Sequence, residues 1–160
     1  MNKYDEIQKL VFEAGNSVDF ADFGDGISEE WITKAEERLG FELPNSYKWW
    51  LINYGGGEIY GEEIFSIYEQ DFDTVVGGDI VYNYELNIKN KNYSNEKLVI
   101  CEANDDIFYF DLSKRRDENE ILIYSLNDNK IYADDFIEFL KERITESKRE
   151  VMTIMKKQKV

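Results

Sequence analysis

The stretch at residues 27–57, ISEEWITKAEERLGFELPNSYKWWLINYGGG, constrains the fold more than any other part of the chain. Ser28 stands as an N-cap, with Glu29 and Glu30 where the helix dipole favours negative charge. Ile27 and Ile32 occupy the positions of a hydrophobic staple. Ile32, Ala35 and Leu39 recur on one helical face, and Gly40 supplies a left-handed stop. Leu43-Pro44 then makes an elbow, because proline fixes φ at the mouth of a helix, where its missing N–H costs nothing. Tyr47, Trp50, Leu51 and Tyr54 follow at i, i+3, i+4 and i+7, and Gly55-Gly56-Gly57 cannot continue a helix. The spacing predicts two consecutive helices, the second loaded with aromatics, and then a sharp reversal into strand.

The flanks extend this pattern. Tyr4, Ile7, Leu10, Val11 and Ala14 share one face of a helix expected over residues 4–14. Residues 17–26 keep neither period for long and read as a surface loop, with Phe20 and Phe23 tucked under the helices. Strands are expected at 58–60 and 63–68. Val76, Ile80, Tyr84 and Ile88 recur every fourth residue, which favours a helix over 74–89, although Gly77-Gly78 weakens its start. Residues 98–102, 107–112 and 120–126 are dense in β-branched and aromatic side chains and read as strands, with a shorter one at 130–133. Asn104-Asp105-Asp106 and Asn127-Asp128-Asn129 are turn chemistry. Connections this short imply antiparallel neighbours. Asp134 is placed to cap a closing helix with Phe136, Ile137, Leu140 and Ile144 on its inner face. The expected architecture is α+β: an antiparallel sheet with N-terminal helices and a closing C-terminal helix, in one domain over 1–146. Residues 147–160 form a basic tail or a helical extension.

Composition excludes several functions. The 160 residues carry 34 acids against 19 bases, a formal charge of −15, which argues against nucleic acid or an anionic membrane as partner. The imbalance lies mostly in residues 1–80, with 18 acids and 5 bases, so a cationic partner is expected on that half. Met1 leads into a polar run with no apolar leader, and no stretch has the ~20 apolar residues of a membrane span. The single Cys101 fits a reducing cytoplasm. There is no histidine, so triad and thiol-protease schemes lack their usual base. A two-carboxylate hydrolase survives on residue types alone, but no pair stands apart from the solvated acids around it. Asp19, Asp22, Asp25 and Gly26 suggest a calcium loop, yet Ala21 and Phe23 fill the alternate positions that acids should hold. No catalytic, cofactor or metal site is expected. Gly55-Gly56-Gly57 follows a helix and lacks the Gly-Lys-Ser/Thr ending of a phosphate loop. Trp50 is expected in the core, Trp49 either in the core or as an exposed or second-layer aromatic of an interface, and Cys101 in a strand as a small buried hydrophobe. Asn92-Tyr93-Ser94 reads as loop.

At Ile32, Glu36, Leu39-Gly40, Leu43-Pro44, Tyr47, Leu51 and Gly55-Gly56 the chain resembles the SUKH superfamily (SMI1/KNR4-like). The family's hallmark is an Ile-x3-Glu-x2-Leu-Gly helix, a Leu-Pro elbow, a Tyr-x3-Leu helix and an Asn-Gly-Gly-like stop. LPNSYKWWLINYGGG looks especially like the YobK-type bacterial branch. Asp134-Asp135-Phe136 with Phe139-Leu140 is similar to the family's closing helix. Tyr54 replaces the common Asn, and Asp135 stands where Ser is frequent. The resemblance implies a non-enzymatic, cytoplasmic immunity protein that neutralises a cognate secreted polymorphic toxin, often a nuclease. The alternative it implies is a regulator or scaffold of the cell-wall or signalling type that binds a host protein. A nuclease needs cationic surface to hold phosphates, so an acidic-aromatic face is expected to meet the toxin. Surface acids beside aromatics give the candidates Tyr60, Glu62, Glu63, Asp71, Asp73, Asp105 and Asp106.

Overall fold

The computed structural model describes residues 2–158. Among the described residues the elements run α1 (Lys3–Ala14), β1 (Val18–Phe20), α2 (Glu29–Leu39), α3 (Asn45–Tyr54), β2 (Gly57–Ile59), β3 (Glu62–Ile64), α4 (Ile80–Lys89), β4 (Lys97–Glu102), β5 (Ile107–Arg116), β6 (Glu120–Ser125), β7 (Lys130–Ala133) and α5 (Phe136–Gln158). The seven strands form one antiparallel sheet in chain order. This is the expected α+β architecture, closed by a C-terminal helix.

The α2–α3 unit forms as its sequence dictates. Ser28 Oγ accepts from Trp31 N at 3.4 Å, and Gly40 ends α2 at φ 88°. The elbow is tied from within: the Glu36 carboxylate accepts from Leu43 N at 2.7 Å and pairs with Lys48 at 3.4 Å. Leu43, Tyr47, Trp50 and Leu51 are fully buried. The Tyr47 hydroxyl donates to the Phe65 carbonyl at 2.7 Å, which anchors α3 to the chain after β3. Tyr47 meets Phe136 at 4.9 Å and Phe110 at 5.8 Å, both edge-on, so α3, β5 and α5 share one aromatic core. Such pairs contribute about 0.5–1.5 kcal/mol each beyond the area they bury. Trp49 forms the second layer, 4.8 Å from Tyr4 and 6.0 Å from Tyr54.

Ser46 joins three elements at the start of α3. Its backbone N–H and Oγ both donate to the Glu120 carboxylate, at 3.0 and 2.7 Å, and its Oγ accepts from Phe136 N at 3.0 Å. The first N–H of α5 is therefore satisfied from α3.

Five expectations need correction. Residues 18–20 are not loop but the edge strand β1, paired Val18↔Ile59 to Phe20↔Gly57. That pairing requires Gly57, which sits at φ 142° and where a Cβ would overlap the Asp19 carbonyl. Phe20 packs on Trp50 and Tyr54 as expected, whereas Phe23 is about half exposed. The strand expected at 63–68 ends at Ile64, because the chain then turns to bridge Ser66 to Asp79. The helix expected from residue 74 begins at Ile80, capped by buried Asp79, whose carboxylate accepts from Tyr82 N and Tyr68 N at 3.0 Å each. The cap of α5 is Asp135, accepting from Glu138 N at 2.9 Å, while Asp134 N donates back to Glu138. Beyond residue 146 the chain is a continuous helix to Gln158. Residues 159–160 of the tail lie outside the described residues.

Candidate functional site

The seven candidate residues fall into three places. Tyr60 and Glu62 belong to the tight β2–β3 turn, where Tyr60 adopts φ 49°. Glu62 points toward α5, and its carboxylate pairs with Arg143 at 2.9 Å. Glu63, next in the strand, takes the other face. It accepts from the Tyr68 hydroxyl at 2.6 Å and lines a hollow of about 450 Å³ with the glycine stop. Asp71 and Asp73 lie in the loop before α4, Asp73 paired with Arg38 of α2 at 3.0 Å. Asp105 and Asp106 form the β4–β5 turn.

Two of the seven sit in a cleft of about 440 Å³ between the β4–β5 turn, the β6–β7 turn and α5. Six carboxylates line it, from Asp105, Asp106, Asp128, Glu142, Glu146 and Glu150, against the cations of Lys130 and Arg143. Each arrives for a local reason. Turn chemistry supplies Asp105, Asp106 and Asp128. The outer face of α5 supplies the three glutamates. Asp106 is committed to structure: it accepts from Ser125 Oγ at 2.6 Å and Asn127 N at 2.9 Å, clipping the two turns together. Asp105, Asp128 and Glu150 are exposed.

Arg143 forms the back wall. Its side chain is 6 % exposed, its guanidinium spans Glu62 at 2.9 Å and Glu146 at 3.3 Å, and it lies 4.9 Å over the Phe108 ring. Burial opposes its charge, but the Tyr132 hydroxyl and the Glu62 carboxylate beside it hold its pKa above the usual value. The Tyr132 hydroxyl is buried at the same wall, without a hydrogen-bond partner of good geometry, and burial pushes its pKa up. Arg143 is thus spent on neighbouring acids, and among the described residues lining the cleft the other cation is Lys130. This acidic concavity is built from the second half of the chain, not the first, because sheet and helix bring residues 105–150 together.

Sequence reasoning missed Asp128, Glu142, Glu146, Glu150 and Arg143 as members of one site. The signal that could have found the helical ones is their i, i+4 recurrence from Glu142 to Glu150. Among the described residues no group of His, Cys, Asp and Glu is placed to hold a metal ion. No helix among them is long and apolar enough to cross a membrane.

Fold and site together define a helix-covered antiparallel meander in which the sequence signature builds the scaffold and an acidic cleft opens elsewhere. Glu36, Leu43, Tyr47 and Leu51 all hold the α2–α3 elbow or the core beneath it. A family model described as SMI1-KNR4 cell-wall (SUKH_6) matches residues 29–140. The chain belongs to the SUKH superfamily. It is also similar to the crystal structure of a protein from Pseudomonas syringae pv. tomato, with a TM-score of 0.58 and 13 % identity over 86 % of this chain and 95 % of that one. At that identity the likeness concerns the fold alone.

Proposed function

We propose that this chain is an immunity protein, acting in the cytoplasm by binding, that neutralises a cognate secreted toxin with a basic domain, a nuclease in the first instance. Membership of the SUKH superfamily supports the class. The observation that carries the mechanism is the cleft beside α5, where six carboxylates face two cations and one cation is already paired. A nuclease holds phosphates with lysines and arginines. Carboxylates set in a concave wall occupy that surface, exclude the nucleic acid and steer encounter, at rates up to about 10⁸–10⁹ M⁻¹s⁻¹ at low salt. Of the seven residues put forward from sequence, Asp105 has the freest carboxylate in the cleft, Asp106 shapes its wall, and Glu62 holds Arg143 behind it. Tyr60, Glu63, Asp71 and Asp73 lie outside the cleft, at the β2–β3 turn and in the loop before α4.

The test is co-expression with any secreted toxin found encoded beside this gene, scored for rescue of growth. Asp105→Asn, Asp128→Asn and Glu150→Gln combined should slow association by at least tenfold at low salt and flatten its salt dependence. Undiminished association and rescue by the triple variant would sink the electrostatic mechanism. The family model's own description, cell-wall, favours a second reading: a regulator that binds a host protein. Absence of any toxin gene nearby, with a retained host partner, would select it.

A further inference from the structure

The last part of α5 has no counterpart in the packing of the domain. From Phe136 to Ser147 the helix buries Phe136, Ile137, Phe139, Leu140, Arg143, Ile144 and Ser147. The same stripe continues past the edge of the body, where Val151 is 38 % and Ile154 55 % exposed. Met152 and Met155 beside them are 48 % and 53 % exposed. Lys148, Arg149, Lys156 and Lys157 flank this apolar face. The helix therefore ends in a basic amphipathic arm that none of the described residues covers.

Charge selects the occupant. Residues 147–160 carry 5 bases and 1 acid, whereas residues 1–146 carry 33 acids and 14 bases. An arm of net +4 is attached to a body of net −19. An anionic membrane would attract the arm but repel the body without neutralising it, whereas in a dimer each arm offsets part of the partner body's charge. Two arms packed on each other would oppose like charges. A second copy of the acidic body complements the arm in sign.

The body also offers a place of the right kind. A groove of about 650 Å³ runs between α1 and α5, with Ile7, Leu10 and Ile137 on its floor and, on its rim, five acids, Glu6, Glu13 and Glu142 among them, against Lys3, Lys9 and Lys141. The arm cannot reach its own groove, because α5 is unbroken and the two lie about 14 residues, ~20 Å, apart along it. Two copies related by a two-fold axis, with their α5 helices antiparallel, bring each arm to the other's groove. We propose that this chain forms a homodimer in which the basic apolar arm at 148–158 of each copy lies in the α1–α5 groove of the other. An amphipathic helix in an apolar groove is a recurrent binding mode.

Sedimentation equilibrium on the full chain tests this. The wild type should run at twice the 18.9 kDa chain mass at tens of micromolar. Val151→Glu with Met155→Glu should give monomer with an unchanged far-UV spectrum, since both side chains are exposed. Glu6→Lys with Glu13→Lys, on the groove rim, should do the same and weaken association at least tenfold. A monomeric wild type overturns the proposal, as does a dimer that survives the arm variant. A monomer whose arm binds anionic vesicles would also overturn it and assign the arm to a lipid surface.

Discussion

Replacing Arg143 by methionine tests whether the back wall of the cleft is an ion pair that holds α5 to the sheet. The guanidinium joins α5 to β3 through Glu62, 81 residues away, at 2.9 Å. Removing one partner of a buried pair costs about 3–5 kcal/mol, because the other charge is left without compensation. Glu62 keeps 19 % of its side chain exposed and Glu146 40 %. Water recovers part of the loss, so the lower end of that range, about 3 kcal/mol, applies. For a chain of this size that lowers Tm by about 6–12 °C. Adding Glu62→Gln removes the stranded charge and should restore more than half of the lost stability. Thermal unfolding followed by circular dichroism reads both variants. A single variant within 2 °C of wild type, or a double variant that is merely additive, refutes the reasoning.

Two further outcomes follow from groups shifted by burial. Cys101, mid-strand in β4, is 2 % exposed, and burial pushes its thiol up to about 12. It should resist a thiol reagent at pH 8 in the native state and react fully in denaturant; rapid native labelling would show the strand open. Burial also raises Glu120 above the ordinary carboxylate range, against the bonds from Ser46 that lower it. An acid whose folded pKa is raised binds more protons folded than unfolded, so stability falls as pH climbs from about 4.3 through the raised value. Glu120→Gln, which keeps an acceptor for Ser46, should gain on wild type in Tm as pH rises through that window. An unchanged difference between pH 4 and 7 would remove Glu120 as the source.

Much of the scaffold was legible because its determinants are local. The Ser28 cap, the Gly40 stop, the Leu43-Pro44 elbow and the aromatic spacing of α3 each act within a few residues, and the structure keeps all of them. The turns at 104–106 and 127–129 were legible for the same reason, since Asn and Asp bond their own backbone. The site was harder to read. Glu62, Asp73 and Asp106 look alike as surface acids, yet Arg143, Arg38 and Ser125 each claim one.

The order and class of most elements, with the Ser28 cap and the Gly40 and Gly55 stops, were in the sequence by itself. Tertiary structure alone decided that residues 18–20 become a strand, because a three-residue element has no period and exists only through its pairing with β2. It also decided that Arg143 is buried while Lys148 and Arg149, a turn further along the same helix, are exposed. The edge of the sheet passes between them, and a helix repeats its faces without recording where its support ends. Which carboxylates remain free was set in the same way, by sheet register and helix docking that join residues as far apart as Lys3 and Asp135.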